Sequence, residues 1–143
     1  MNARAIAKTN DRMNSYEKAF CKDVLLHLER KEHILGWAFE EHTLRLADRT
    51  TYTPDFMVLH RDHSIWFYEI KGWWRDDARV KLKATAEKFW WFRFLGVTKR
   101  PKKDGGGWAY EYIPPYHKDV PPAFADEPWH IHMFGGQDDG CPN

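Results

Sequence analysis

The sequence predicts an α/β protein of the α+β kind, in which a mixed sheet is flanked by helices. Three observations support this: a helix with a capping signal opens the ordered part of the chain, short runs of alternating apolar residues follow, and a basic amphipathic helix interrupts those runs. The predicted order of elements is α-β-β-β-α-β-β. With 143 residues, 43% of them apolar, the chain is long enough for one domain with a normal core.

The first predicted helix runs from Asn14 to about Glu32 and follows a flexible basic arm at 1–13. Asn14 is an N-cap residue, and Glu17 three positions later completes a capping box. At about 100° per residue, four residues form the apolar stripe: Phe20, Cys21, Val24 and Leu28. Glu17 lies in the middle of that stripe. Two interpretations that are not exclusive follow: Glu17 closes the capping box, or it directs a carboxylate into a site.

Three strands are predicted next, at about 37–47, 52–60 and 65–71. Short polar turns separate them, which favours an antiparallel meander. The alternation across 37–47 is imperfect, so the pattern does not decide which face of that strand is buried. Pro54 has no N–H for a ladder, so it belongs at the start or the edge of the second strand.

A helix from Asp76 to about Trp90 follows, with acidic residues at its N-terminal end. Its apolar residues recur at helical spacing and should pack on the sheet. A strand at 91–100, a Gly-rich turn at 101–107 and a strand at 108–113 then form a hairpin. Repeated prolines predict an extended tail at 114–143, so the domain covers residues 14–113.

Two acids and a lysine mark the second and third predicted strands. Asp55 begins one apolar run, and Glu69 and Lys71 end the next. Because strand side chains alternate, Glu69 and Lys71 point to one face and Ile70 to the other. If the strands pair, Asp55 joins Glu69 and Lys71. Two carboxylates and an ammonium at strand ends make a poor core but suit a metal and phosphate site; a surface salt bridge is the alternative.

Positive charge is concentrated after this cluster. Residues 71–103 hold eleven Lys and Arg against three acids, a net of +8, although the whole chain carries only +1. Such a segment suits a polyanion, and a solvated helix face is the plain alternative. The candidate phosphate contacts on the second helix are Lys81, our first choice, with Lys83, Arg79, Lys88 and Arg75. A second basic patch lies on the predicted hairpin at Lys99, Arg100, Lys102 and Lys103.

Pro54-Asp55, then Glu69-Ile70-Lys71 on the next strand and a basic helix after it, resembles the core of the PD-(D/E)XK nucleases. The resemblance covers roughly residues 14–113. It implies a restriction-endonuclease-like α-β-β-β-α-β core, here with an extra C-terminal hairpin strand. The segments 52–56 and 69–72 are similar to a small phage-borne nuclease family. They are more loosely similar to phage Holliday-junction resolvases of the endonuclease I type.

The resemblance implies a Mg²⁺-dependent endonuclease that hydrolyses DNA, with Mn²⁺ as a substitute metal. Asp55 and Glu69 would supply ligand oxygens, with the Ile70 carbonyl as a backbone ligand. Glu17 matches an extra first-helix carboxylate of several members and would serve a second metal. Lys71 would orient or deprotonate the attacking water, or neutralise developing charge. Branched DNA in phage recombination is the expected substrate, and a homodimer would suit junction cutting.

Two other classes of function remain open. One is a non-catalytic nucleic-acid-binding protein on the same fold, although such a protein needs no pair of acids facing phosphates. The other is an accessory or inhibitor protein whose acidic parts bind a host protein; its support is the net charge of −7 outside residues 71–103. An assay for metal-dependent cleavage separates the enzyme from both.

Other observations concern the cellular compartment of the protein. No apolar run approaches the roughly 20 residues of a membrane span, and the N-terminus lacks the apolar segment of a secretory signal. Cys21 and Cys141 lie far apart, which fits a reduced cytoplasmic setting, the host's if the gene is phage-borne. The sequence shows no Gly-rich phosphate loop, so no nucleotide cofactor is predicted.

Two motifs keep two interpretations each. Trp73 and Trp74 follow the Glu69-to-Lys71 strand end directly; core packing is the first interpretation, and stacking on nucleic-acid bases is the alternative. His130 and His132 with Cys141 suggest zinc, but two His without further paired ligands are a weak signal.

Overall fold

A mixed five-stranded sheet forms the centre of the computed structural model, which describes residues 12–116 and 119–121. Its strands are β1 (Ile34–Phe39), β4 (Phe56–His60), β5 (Ile65–Lys71), β6 (Arg93–Lys99) and β7 (Trp108–Ile113), in the spatial order β1-β4-β5-β6-β7. A separate two-stranded sheet pairs β2 (Leu44–Ala47) with β3 (Thr50–Tyr52). All neighbours are antiparallel except β5 and β6, which are parallel. The predicted α+β class and mixed sheet are thereby confirmed.

The prediction of a single strand at 37–47 is wrong. The chain leaves the main sheet after Phe39, because Glu40 takes a left-handed conformation (φ 49°) and its N–H bonds to the Asp55 carbonyl at 2.9 Å. The chain then forms β2, which pairs with β3 and not with the main sheet. The strand predicted at 52–60 is likewise two segments, with Thr53 to Asp55 between β3 and β4. The imperfect alternation across 37–47 reflects this division.

The predicted antiparallel meander exists among β1, β4 and β5. Phe56 of β4 pairs with Phe39 of β1 on one side and with Tyr68 of β5 on the other. The hairpin of β6 and β7 is also confirmed, with Lys99 opposite Trp108. Because a helix connects β5 to β6, these two strands run parallel, with Lys71 opposite Thr98.

The first helix, α1, comprises Ser15–Phe20, a π-helical segment Cys21–Leu25 and Leu26–Arg30. Its capping box is confirmed: Asn14 accepts a bond from the Glu17 N–H, and Glu17 accepts one from the Asn14 N–H. The π-helical segment shifts the register of the helix, so Leu25 is fully buried while Val24 is only partly buried. A strict α-helical period assigns the core to Val24 and misses Leu25.

The second helix, α2 (Asp76–Lys88), covers the face of the sheet opposite to the one that α1 covers. Leu82 and Ala86 of α2 pack with Phe67 and Phe94 of the central strands, and Leu44 of β2 joins this second core. The first core lies between α1 and the opposite face, around the fully buried rings of Phe20, Phe56, Trp66 and Tyr68. The sheet thus has a helix on each face, which leaves the strand ends accessible for a site.

Parts of the predicted arm and tail lie outside the described residues. Of the arm at 1–13, Arg12 and Met13 are described: Met13 is buried in the first core, and Arg12 lies 5.7 Å from the centre of the Phe39 ring. Of the tail at 114–143, the structure describes 114–116 and 119–121, where Pro115 is buried. His130, His132 and Cys141 are outside the described residues. No helix in the described ranges is long and apolar enough to cross a membrane.

Candidate active site

Asp55 and Glu69 meet where β4 begins and β5 ends. Asp55 directly precedes β4, and its Oδ2 accepts a hydrogen bond of 2.7 Å from the Ile70 N–H. The neighbouring Glu69 holds the Lys71 ammonium through Oε1 at 2.8 Å. Both carboxylates are buried, whereas the Lys71 side chain remains 39% exposed. The structure therefore brings together the three side chains that the strand pattern predicts to converge, and Lys71 reaches towards solvent.

Glu17 joins this cluster from the first turn of α1. Its Oε2 accepts a 2.7 Å bond from the Asn14 N–H, and its side chain is buried. The charges of Glu40, Glu69 and Lys71 all act on Glu17, which places it beside the strand residues. The capping role and the site position therefore coexist, and the second Glu17 oxygen is not used by the capping box.

Tyr52 is a member of the cluster that the sequence did not identify. It ends β3, and its hydroxyl donates a hydrogen bond to Glu69 Oε2. Burial, together with the charge and hydrogen bond of Glu69, raises the pKa of Tyr52 far above its ordinary range, so the phenol remains a donor. Both oxygens of Glu69 are thus held, one by Tyr52 and one by Lys71. The only sequence signal for Tyr52 was its position three residues before Asp55.

Acidic side chains outnumber basic ones in this cluster. Burial and the Glu69 carboxylate raise the pKa of Asp55 to about 8, with a smaller contribution from Glu17 and an opposing hydrogen bond from the Ile70 N–H. Burial also raises the pKa of Glu17. Burial acts to lower the pKa of Lys71, but the hydrogen bond and charge of Glu69 outweigh it and raise that pKa. With all three carboxylates ionised, one ammonium would not balance their charge, so a bound cation would stabilise the ionised cluster.

The donor set fits a hard divalent cation. Asp55 and Glu69 offer carboxylate oxygens, and the Ile70 carbonyl belongs to the residue between Glu69 and Lys71. Within the described residues, no group of three or more His, Cys, Asp or Glu side chains forms a ready metal cluster. A metal at this site would therefore depend on two carboxylates, a backbone oxygen and water, which is a coordination that Mg²⁺ commonly accepts.

The basic residues of α2 differ in their surroundings. Lys81 is exposed, and its Nζ lies 5.5 Å from the centre of the Tyr52 ring, which places it next to the cluster. Arg79 pairs with Glu111 at 3.0 Å, and Arg75 with Asp77 at 3.6 Å. Lys81 is thus the basic residue of α2 with a direct link to the candidate site.

Lys83 and Lys88 are exposed residues of α2 further along the helix. The Lys88 ammonium donates to the carbonyls of Arg45 (2.8 Å) and Leu46 (2.9 Å), so it joins α2 to β2. At 1.5 Å per residue, Lys88 lies about 18 Å along α2 from the start of the helix. A structural role therefore accounts for Lys88.

The second predicted basic patch lies at the same end of the sheet as the cluster. Because β5 and β6 are parallel and Lys71 pairs with Thr98, the chain leaves β6 beside the end of β5. Arg100, Lys102 and Lys103 follow in an exposed turn. Lys99 is held over the Trp108 ring at 4.5 Å. The basic turn and the carboxylates thus lie at the same end of the sheet.

The two tryptophans after β5 have different environments. Trp74 packs in the second core, and its ring covers Gly96, where any side chain would overlap it. Trp73 is 69% exposed. The core interpretation therefore holds for Trp74 and is wrong for Trp73.

No protein-family model matches the chain, and no significant match exists among curated proteins or solved structures. The likeness to PD-(D/E)XK nucleases therefore stays a prediction from the motif.

Proposed function

We propose that the protein is a metal-dependent nuclease that hydrolyses phosphodiester bonds in DNA. The observation that carries this proposal is the buried convergence of Asp55 and Glu69 with Lys71 at the ends of paired strands. A structural salt bridge needs one acid and one base, and an exposed one stabilises little. Burying a further acid raises the pKa of Asp55 to about 8, a cost that a bound cation would offset.

Each residue of the cluster has a role in this proposal. Asp55, Glu69 and the Ile70 carbonyl would hold Mg²⁺ or Mn²⁺, whose chemistry is Lewis-acid stabilisation of phosphate charge and a lower pKa for a coordinated water. Tyr52 fixes the orientation of Glu69 through its hydroxyl. The partly exposed Lys71 ammonium would donate hydrogen bonds to the attacking water or to the phosphate, where negative charge develops.

The surrounding charge supports a nucleic-acid substrate. Lys81 beside Tyr52 and the basic turn after β6 lie on the cluster's side of the domain. Phosphate contacts from these residues would position the DNA backbone without reading its sequence. We therefore propose recognition by shape, with branched DNA as the substrate class and a homodimer as the form that cuts two strands about a symmetric centre.

The second candidate is a protein that binds nucleic acid without cutting it. The basic turn and the exposed face of α2 favour it as much as they favour a nuclease. The buried acids do not favour a protein that only binds, because carboxylates near phosphates oppose binding unless a cation lies between them.

One experiment distinguishes the two. Purified protein is incubated with supercoiled, linear and four-way-junction DNA in Mg²⁺, in Mn²⁺ and in EDTA. We expect cleavage that requires metal, and a loss of about 100-fold or more in Asp55→Ala and in Lys71→Ala. Asp48→Ala, at an exposed acid paired with Arg45, is the matched control and should cleave as the wild type does.

Binding without metal-dependent cleavage of any of these substrates would remove the nuclease proposal and leave the binding protein. Cleavage that persists in both Asp55→Ala and Lys71→Ala would place the active site elsewhere.

A further inference from the structure

Trp73 presents a large aromatic ring to solvent beside the candidate active site. Its side chain is 69% exposed, although it is only two residues beyond Lys71. The backbone around it is fixed, since Lys71 is ion-paired with Glu69 and Trp74 packs in the core. The exposure is therefore a property of an anchored segment and not of a loose loop.

Tyr16 provides a second exposed ring at the same place. It is 45% exposed, and its ring lies against Gly72, the residue between Lys71 and Trp73. A Cβ at Gly72 would come within 2.8 Å of Tyr16 Cζ, so the close contact depends on glycine. The two rings thus occupy neighbouring positions where α1 meets the end of β5.

Positive charge accompanies these rings. Arg75 follows Trp73 by two residues, pairs with Asp77 at 3.6 Å and has a side chain that is 69% exposed. The Lys71 side chain, on the other side of Gly72 in the chain, is 39% exposed. Exposed aromatic rings beside cations are the arrangement by which proteins bind single-stranded nucleic acid, since bases stack on the rings and phosphates meet the cations. A duplex keeps the faces of its bases stacked on one another, so only an unpaired base offers a face to Trp73.

We propose that Trp73, with Tyr16 as its neighbour, stacks on an unpaired base next to the phosphate held at the candidate active site. The inference rests on the proposed function and narrows its substrate class: DNA with unpaired nucleotides at or beside the cut is preferred over fully paired duplex. Stacking contributes affinity with any of the four bases, so this preference is for structure and not for sequence.

Two DNAs test the proposal, a paired duplex and the same duplex with a short unpaired stretch that carries 2-aminopurine. Affinity is measured by fluorescence anisotropy in Ca²⁺, a hard cation that also takes oxygen ligands, with intact DNA verified on a gel, and stacking by quenching of 2-aminopurine. We expect wild type to prefer the unpaired substrate and to quench the probe. Trp73→Ala should lose about tenfold in affinity for that substrate, lose the quenching, and bind duplex as wild type does. Trp73→Phe should recover part of both signals.

Trp91→Ala is the matched control. Trp91 is 50% exposed but lies just after α2, before β6 begins, and so at the opposite end of the sheet from Lys71. It should leave the preference and the quenching unchanged. Circular dichroism melting curves verify that each variant is folded, which we expect because both rings are exposed.

The outcomes separate this inference from the nuclease proposal. Metal-dependent cleavage by wild type together with an unchanged preference in Trp73→Ala would overturn the stacking role alone. Quenching that depends on Trp73, without cleavage in Mg²⁺ or Mn²⁺, would support stacking and overturn the nuclease. Equal binding of both DNAs by wild type would also overturn the inference.

Discussion

At the residue scale, Glu69 is the centre of the candidate site because both of its oxygens have a defined partner. Lys71 binds one oxygen at 2.8 Å, and the Tyr52 hydroxyl donates to the other. Asp55 has a different support, the Ile70 N–H. Each acid is therefore oriented by a group that donates a hydrogen bond, which is what keeps a carboxylate in place when it is buried.

Asp55 should make the metal-free protein less stable as the pH rises. Its pKa is raised from 3.8 to about 8, so the folded state binds its proton more tightly than the unfolded state. The resulting contribution to the free energy of unfolding is present below about pH 4 and is lost as the pH rises to about 8. Asp55→Asn, which keeps an oxygen for the Ile70 N–H, should lack this loss and be more stable than wild type at pH 9, by several kcal/mol at most.

Urea unfolding in EDTA between pH 5 and pH 9 measures the difference. Asp48→Asn, at a side chain that is 84% exposed, is the control and should follow the wild-type curve. Parallel curves for wild type and Asp55→Asn would contradict the raised pKa of Asp55.

At the scale of elements, α1 combines two functions in its first turn. The capping box satisfies N–H groups that the helix leaves unpaired, and the same Glu17 carboxylate lies in the acidic cluster. The π-helical segment that follows sets which residues of α1 are buried, Leu25 among them. The start of the helix thus serves the site, while its middle serves the core.

Glu17→Gln separates the two roles of Glu17. The amide oxygen of glutamine still accepts the Asn14 N–H, so the capping box and the melting temperature should be retained. The negative charge is lost, and we expect metal-dependent cleavage to need about tenfold more Mg²⁺. Melting curves and Mg²⁺ titrations of the cleavage rate measure the two effects.

Asn14→Ala is the complementary variant, because it removes the N-cap side chain and leaves Glu17 in place. It should lower the free energy of unfolding by about 1 kcal/mol without changing the Mg²⁺ requirement. An unchanged Mg²⁺ requirement in Glu17→Gln would restrict Glu17 to the capping role.

At the scale of the whole molecule, strand direction decides where charge accumulates. Since β5 and β6 are parallel, the basic turn after β6 lies at the same end of the sheet as Lys71. The start of α2 is at that end too, because the helix follows β5 directly, and Lys81 reaches Tyr52 from it. Part of the positive charge of residues 71–103, namely Lys81 and the basic turn, thus lies on the side of the acidic cluster, which is a suitable arrangement for guiding a polyanion to it.

Salt dependence of DNA binding tests this arrangement. Each phosphate contact contributes about 0.9 to the slope of log affinity against log salt concentration, because binding releases counterions. The double variant Lys81→Ala, Lys83→Ala should therefore flatten the slope by up to about 2. The control is Arg30→Ala, Lys31→Ala, at the end of α1 that is about 20 Å from Glu17. Equal slopes in wild type and in the Lys81, Lys83 variant would move the DNA path away from α2.

The sequence by itself determined the features that depend on near neighbours in the chain. The capping box at Asn14 and the spacing of Glu69 and Lys71 are local patterns, and the meander follows from short turns between alternating runs. Asp55 could be assigned to the cluster because adjacent strands joined by a short turn pair with each other.

Only the tertiary structure decided the features that depend on contacts far apart in sequence. The division of 37–47 follows from the left-handed Glu40, whose N–H bonds to Asp55, and the Tyr52 hydroxyl reaches Glu69 across a bend between β3 and β4. Periodicity records which face of a strand is buried, but not which strand lies beside it or where a chain leaves a sheet. Those choices are made by packing of the whole core, which is why Tyr52 and the exposed Trp73 emerged only from the fold.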